Sequence, residues 1–262
     1  MSNFFSWKGF RPHLFAVVGF VVLSIAYFSP LLEGRKLVMN DIVQSESAAR
    51  ELKSYQEKEG RLPNWTNSMF GGMPAYMIAA DYPASLSTKI GRAIYFLLPI
   101  PACILFLSLV SAYILLWVLT ASSGLAFFGA AAFAFATFNL ISIEAGHLSK
   151  VMAIGYAPGV IAGVFLSFRR NWLSGAAVMS LFLALELYAN HVQITYYLAL
   201  SLVVFVIAEG VSLFQLGQTK KLLKIGGGLA LATLIAVGTH TTRLWNAYDY
   251  SKATIRGGFR TK

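Results

Sequence analysis

Charge is absent from most of this chain. No Asp, Glu, Lys or Arg occurs between Arg11 and Glu33, Arg92 and Glu144, Lys150 and Arg169, Arg170 and Glu186, Glu186 and Glu209, or Lys224 and Arg243. These gaps are dense in Leu, Ile, Val, Phe and Ala. About 20 such residues in a helix cross the ~30 Å hydrocarbon core of a bilayer. A helix also satisfies its own backbone where no water can. The chain is 12% charged, against about 25% in soluble domains. The expected fold class is therefore an all-α polytopic membrane protein.

Seven spans are expected, at 13–32, 94–119, 125–143, 151–168, 172–188, 194–214 and 225–239. They leave an N-terminal segment at 1–12, a long first loop at 33–93, a compact loop at 144–150 and a polar tail at 240–262. The first run is about as long as a full span, and no small-x-small site follows it. It reads as a retained helix rather than a cleaved signal. Cys103 lies in an apolar run and reads as a small buried hydrophobe.

Short basic loops set orientation. With the N-terminus in the cytoplasm, Lys8, Arg11, Arg169, Arg170, Lys220, Lys221 and Lys224 all fall inside. That distribution accounts for much of the +10 net charge, so no nucleic-acid partner is inferred. No phosphate-cradling GxxxxGK[ST] or GxGxxG is present on that face. Chemistry is expected on the outer face.

Seven of the eleven acidic residues lie between Glu33 and Arg92. The spacing of Ile42, Ser45, Ala49, Leu52 and Gln56 predicts one interfacial helix from Asp41 to about Lys58, with Asp41 as N-cap and Gly60 and Pro63 ending it. Gly71-Gly72-Met73-Pro74 predicts a turn. Trp65, Phe70 and Tyr76 read as interfacial anchors or as an aromatic wall beside a sugar site.

Asp41 is either a helix cap or a general base placed to take a proton from a hydroxyl. Glu144, His147 and Lys150 form a row at i, i+3 and i+6, on one face if that loop is helical. His147 and Lys150 suit a phosphate. Glu144 and His147 suit a divalent ion, although two ligands make an incomplete set. The third reading is a charged loop held at the lipid headgroups. Glu186 is a carboxylate near the outer end of an apolar span, where ionisable groups are costly. Asn190, His191 and Gln193 either line a site or solvate a tight turn. Arg243, Lys252 and Arg256 are phosphate ligands or an ordinary exposed tail.

Three blocks together suggest a family. They are Asn40-Asp41-Ile42-Val43-Gln44 with Trp65 and Phe70-Gly71-Gly72-Met73-Pro74-Ala75; Glu144-Ala145-Gly146-His147-Leu148-Ser149-Lys150-Val151-Met152-Ala153; and Ala189-Asn190-His191-Val192-Gln193-Ile194-Thr195-Tyr196-Tyr197. The chain resembles YfhO-type bacterial membrane proteins of the Bacteroidetes form, from about residue 10 to Gly258. The resemblance implies a GT-C-like glycosyltransferase of the bacterial inner membrane. Such an enzyme takes sugar from a polyprenyl-phosphate donor and passes it to a cell-envelope glycan or lipid acceptor on the outer face. It implies Asp41 as base, with Glu144 orienting donor or acceptor. His147, Lys150, Asn190, His191, Gln193 and Arg243 are the expected substrate-binding residues. No metal ligand is carried over, because the wider fold differs on metal dependence, and a divalent ion is left open. YfhO-like proteins are longer, so the expectation is an N-terminal part. A lipid or sugar transporter, with polar groups in mid-span, and a non-catalytic envelope-assembly protein are the alternatives.

Overall fold

The computed structural model describes residues 7–78 and 86–254. It is built from α1 (Trp7–Tyr27), α2 (Asn40–Ala48), α3 (Arg50–Glu59), β1 (Trp65–Thr66), β2 (Met73–Pro74), α4 (Leu86–Leu97), α5 (Ala102–Thr120), α6 (Ser123–Ala134), α7 (Thr137–Ala145), α8 (Leu148–Arg169), α9 (Trp172–Tyr188), α10 (Val192–Gln215), α11 (Thr219–Gly238) and α12 (Thr241–Lys252). Among the described residues, α1, α5, α8, α10 and α11 are long and apolar enough to cross a membrane, and α6 with α7 qualifies as one span bent by 45°. α9 is equally apolar but has 17 residues. The protein is a multi-pass membrane protein built almost wholly of helices.

α8 is the central helix, packed on α5, α9 and α10. Gly155, Gly159 and Gly163 recur every four residues and let neighbouring helices approach closely. A Cβ at Gly163 would meet the Met179 backbone of α9, and one at Gly175 of α9 would meet Ser167 and the Gly163 carbonyl. In lipid no hydrophobic force drives helices together, so such small-residue contacts carry the packing. Pro158 would leave a polar gap in α8. The Ser111 hydroxyl of α5 accepts the Gly159 N–H at 2.8 Å and reaches the Tyr156 carbonyl at 3.4 Å. A serine thus covers backbone groups near the proline, as membrane helices require. Of the glycine triplet in α11, Gly228 packs on Trp172 and Ala176, while Gly226 and Gly227 face open space.

The antiparallel run of helices sorts the termini into two ends. At one end Arg169 pairs with Glu209 at 2.5 Å, Arg170 lies over Trp117, and His13 of α1 stacks edge-on against the same Trp117. At the other end Phe28, Ile104, Ile143 and Val151 pack together. That second end carries the long first loop.

The loop differs from expectation in detail. The single helix expected from Asp41 breaks at Ala49 into α2 and α3. The cap of α2 is Met39, whose extended backbone precedes the helix, so Asp41 sits inside the first turn and is not the cap. The Glu51 carboxylate of α3 accepts the Thr66 hydroxyl at 2.5 Å and the Asn67 N–H at 3.0 Å. Those bonds hold its pKa below the usual carboxylate value. β1 and β2 form a two-stranded ladder closed by a tight turn through Gly71 and Gly72. The expected tail at 240–262 begins with a helix, α12. Arg256 lies outside the described residues.

Candidate active site at the loop-bearing end

The site begins with a helix stop. α7 ends at Ala145, and Gly146 takes a left-handed backbone at φ 92°. The Gly146 N–H donates to the Ile143 carbonyl at 3.0 Å and the His147 N–H to the Ser142 carbonyl at 2.9 Å. These bonds satisfy carbonyls that the helix end would orphan. α8 starts directly afterwards, with His147 as its N-terminal flanking residue. Glu144, His147 and Lys150 therefore do not share one helical face. Glu144 belongs to the last turn of α7, and Lys150 to the first turn of α8.

Gly146 also receives the loop. A Cβ there would meet Met39, Asp41 and the Ile42 amide at 3.1–3.2 Å. This close approach lays the first turn of α2 on the α7–α8 corner. It brings Asp41 Oδ2 to 2.5 Å from His147 Nδ1, with both side chains about half exposed. Two residues 106 positions apart in sequence thus form one carboxylate–imidazole pair.

The other expected residues divide. His191 flanks the start of α10, and its pKa is lowered first by burial, then by Lys150 and His147. The Lys150 ammonium lies 4.7 Å from the centre of the Phe138 ring. Asn190 holds a left-handed backbone at φ 58°. It lines a cavity of about 340 Å³ with Tyr76, Tyr95, Met152, Tyr188 and Arg243. Arg243 donates to the Tyr188 carbonyl at 2.8 Å and stacks over the Tyr188 ring. Gln193 donates to the Tyr197 hydroxyl at 3.0 Å.

Sequence reasoning missed several neighbours. Tyr95 reaches both Met152 and Tyr156 at 3.3 Å. His240, 4% exposed, joins its Nε2 to the Ala184 carbonyl at 2.8 Å. Together with Arg243 it straps α12 to the last turns of α9. Aromatic and histidine residues at helix ends are common, and nothing in their spacing marks these contacts. Glu186 is wholly buried, and neither carboxylate oxygen has a hydrogen-bond partner among the described residues. Thr195 lies beside it, with its hydroxyl donating to the His191 carbonyl at 3.4 Å.

Among the described residues no group of three or more His, Cys, Asp or Glu side chains is arranged to hold a metal ion. Asp41 and His147 are two ligands without a third, so no step is routed through a metal. The pair can instead take a proton. With Nδ1 held by a carboxylate, the other ring nitrogen, Nε2, is set up as the acceptor. Comparison with family models, with characterised proteins and with solved structures finds no match for this chain.

Proposed function

We propose that the chain is the membrane part of a GT-C-like glycosyltransferase acting on the outer face of a bacterial inner membrane. The substrates on this reading are a polyprenyl-phosphate-linked sugar and a hydroxyl of a cell-envelope glycan or lipid. The single observation that carries the proposal is the Asp41–His147 contact. It supplies a positioned proton acceptor at the bundle end where the resemblance implies the base.

In the reaction, the acceptor hydroxyl oxygen forms a bond to the anomeric carbon of the sugar. The bond from that carbon to the phosphate oxygen breaks, and the polyprenyl phosphate leaves with the electron pair. The hydroxyl proton passes to His147 Nε2, while Asp41 holds Nδ1 and balances the charge that forms on the ring. Nothing in this chemistry needs a polar group at mid-span, unlike the transporter reading.

A positioned base contributes about 10²–10⁴-fold in rate. Asp41→Asn keeps the size of the side chain and removes its charge. The expected result is normal insertion and at least a ~100-fold loss of sugar transfer in membranes holding the full-length protein. Transfer by Asp41→Asn at the parental rate would remove the pair from the mechanism.

A further inference from the structure

Glu186 takes no part in the reaction above, yet its position is an unfavourable one for a carboxylate. It is wholly buried, and neither oxygen has a hydrogen-bond partner among the described residues. It belongs to the last turn of α9, where the chain passes through Ala189, Asn190 and His191 into α10. Its polar neighbour is Thr195 in the first turn of α10, whose hydroxyl is turned to the His191 carbonyl at 3.4 Å. α12 is bonded to the same stretch of α9, through His240 on the Ala184 carbonyl and Arg243 on the Tyr188 carbonyl. The elements packed against α9 bring several titratable and charged groups to this end. They are His191, Tyr196 and Tyr197 on α10, Lys150 and Tyr156 on α8, Lys89, Arg92 and Tyr95 on α4, and, where α12 touches α9, His240 and Arg243. The charges of α11 are at its other end. None of these groups bonds to Glu186.

A carboxylate charge taken out of water without a cation or donors is far costlier than a neutral acid in the same place. With no counter-ion or donor on Glu186 among the described residues, the group that neutralises it here is a proton. Water reaches the carboxyl when part of its surroundings moves. Much of those surroundings is firm. α8 and α9 interlock at Gly163 and Gly175, and α12 is bonded to α9 twice. α10 is the loose element. Of its 24 residues, Leu198 and Leu213 are the buried ones. A cavity of about 480 Å³ runs between it and its neighbours, lined by Leu183 and Leu187 of α9, Thr195 and Leu202 of α10 and Val237 of α11. Further along, the Phe205 ring stacks on Phe165 of α8 at 4.3 Å. The first turn of α10 can therefore swing while that contact keeps the rest of the helix in place. The corner that would bend is the one where Asn190 holds its left-handed backbone at φ 58°.

We propose that Glu186 is a proton-binding site that latches the start of α10 onto α9. With the proton on the carboxyl, the corner at 189–191 is seated. When the proton leaves, the O–H bond breaks, its electron pair stays on the carboxylate, and water or hydroxide takes the proton. The new charge is stabilised by hydration, which requires the first turn of α10 to lift. Asn190 and His191 move with that turn, so the proton sets whether Asn190 stays on the wall of its 340 Å³ cavity. The seated state binds one more proton than the lifted state. Seating is therefore favoured at low pH and weakens as pH rises. A histidine latch would run in the opposite sense. The site can be tested without sugar transfer.

The experiment uses the full-length protein in detergent between about pH 7 and about pH 9, where ordinary imidazole is largely uncharged and buried glutamic acids ionise. At the lower pH, the infrared difference between the parent and Glu186→Gln should show a free-acid carbonyl band that the variant lacks. Hydrogen exchange of 189–197, taken relative to its intrinsic rate, should lose protection in the parent as pH rises. The loss should not exceed about 10-fold per pH unit, the limit for one proton. Glu186→Gln keeps the size and cannot ionise, so the same stretch should be equally protected throughout. Glu186→Met replaces the orphaned polar group by an apolar one of similar volume. It should behave like Glu186→Gln, and it serves if the amide does not fold. The exchange profile of the parent stands without either variant. A carboxylate band in place of the free acid at the lower pH would overturn the proton site. Protection of 189–197 that ignores pH in the parent, or that changes equally in both variants, would overturn the latch.

Discussion

Gly146 decides whether Asp41 and His147 meet. Its left-handed backbone ends α7, and its missing Cβ lets the first turn of α2 approach. The sequence announces part of this, because 144–150 reads as a compact polar loop between two apolar runs. It does not announce the partner. The Asp41–His147 contact spans the first loop and three apolar helices, and no periodic pattern encodes a contact of that separation. Both residues were legible as candidates, one as a base and the other as a phosphate ligand. Their joint role follows only from the fold. An L residue held in the left-handed region costs about 1–2 kcal/mol. Gly146→Ala is therefore expected to lower stability by about that amount and to push α2 outward. The readouts are thermal unfolding in detergent and sugar transfer. A variant that unfolds at the parental temperature and transfers at the parental rate would show that neither the backbone nor the approach matters.

The helices themselves were the most legible elements, because gaps in charge mark hydrocarbon-spanning segments directly. Their breaks were less so. α6 and α7 bend within an uninterrupted apolar run, and hydropathy carries no signal for a bend. α12 was read as a polar tail, because its packing depends on His240 and Arg243 reaching the end of α9 rather than on an apolar stripe. That strap has a pH dependence. Burial lowers the His240 pKa first, Arg243 pushes the same way, and the bond to the Ala184 carbonyl pushes back. A base with a lowered folded pKa binds fewer protons folded than unfolded between the two values, so stability rises with pH there. The contribution is complete above the unfolded value of about 6.5 and is lost as pH falls below it toward the folded pKa. Relative to its intrinsic exchange rate, 241–252 should be more strongly protected from hydrogen exchange at about pH 7.5 than at about pH 5.5. The difference should shrink in His240→Gln, which separates this group from His191. Equal protection at both pH values in the parent protein would exclude the strap as a pH-sensitive contact.

Across the whole molecule, the two ends differ in how bases are balanced by acids. Arg169, Arg170 and Glu209 share the end where α1 begins, and the antiparallel helices carry Lys220, Lys221 and Lys224 there too. Asp41, Glu144, His147, His191 and Arg243 share the opposite end. A sequence count can assign loops to faces only by assuming how many spans intervene. Here the contacts themselves gather the groups: Arg169 with Glu209, Arg170 and His13 with Trp117, and Asp41 with His147. Short basic segments stay on the cytoplasmic side, so the end whose short segments carry Lys and Arg with almost no acid is expected inside and the Asp41–His147 pair outside. Ser54 lies on α3 and Thr219 begins α11, and both are exposed. The native Cys103 is buried and should give little background. In intact cells an impermeant thiol reagent should label Ser54→Cys and spare Thr219→Cys, and permeabilised cells should label both. The reverse pattern would put the pair in the cytoplasm, facing away from any envelope acceptor. The same sugar-transfer chemistry would then lack its second substrate, so this experiment tests the orientation and the proposed reaction together.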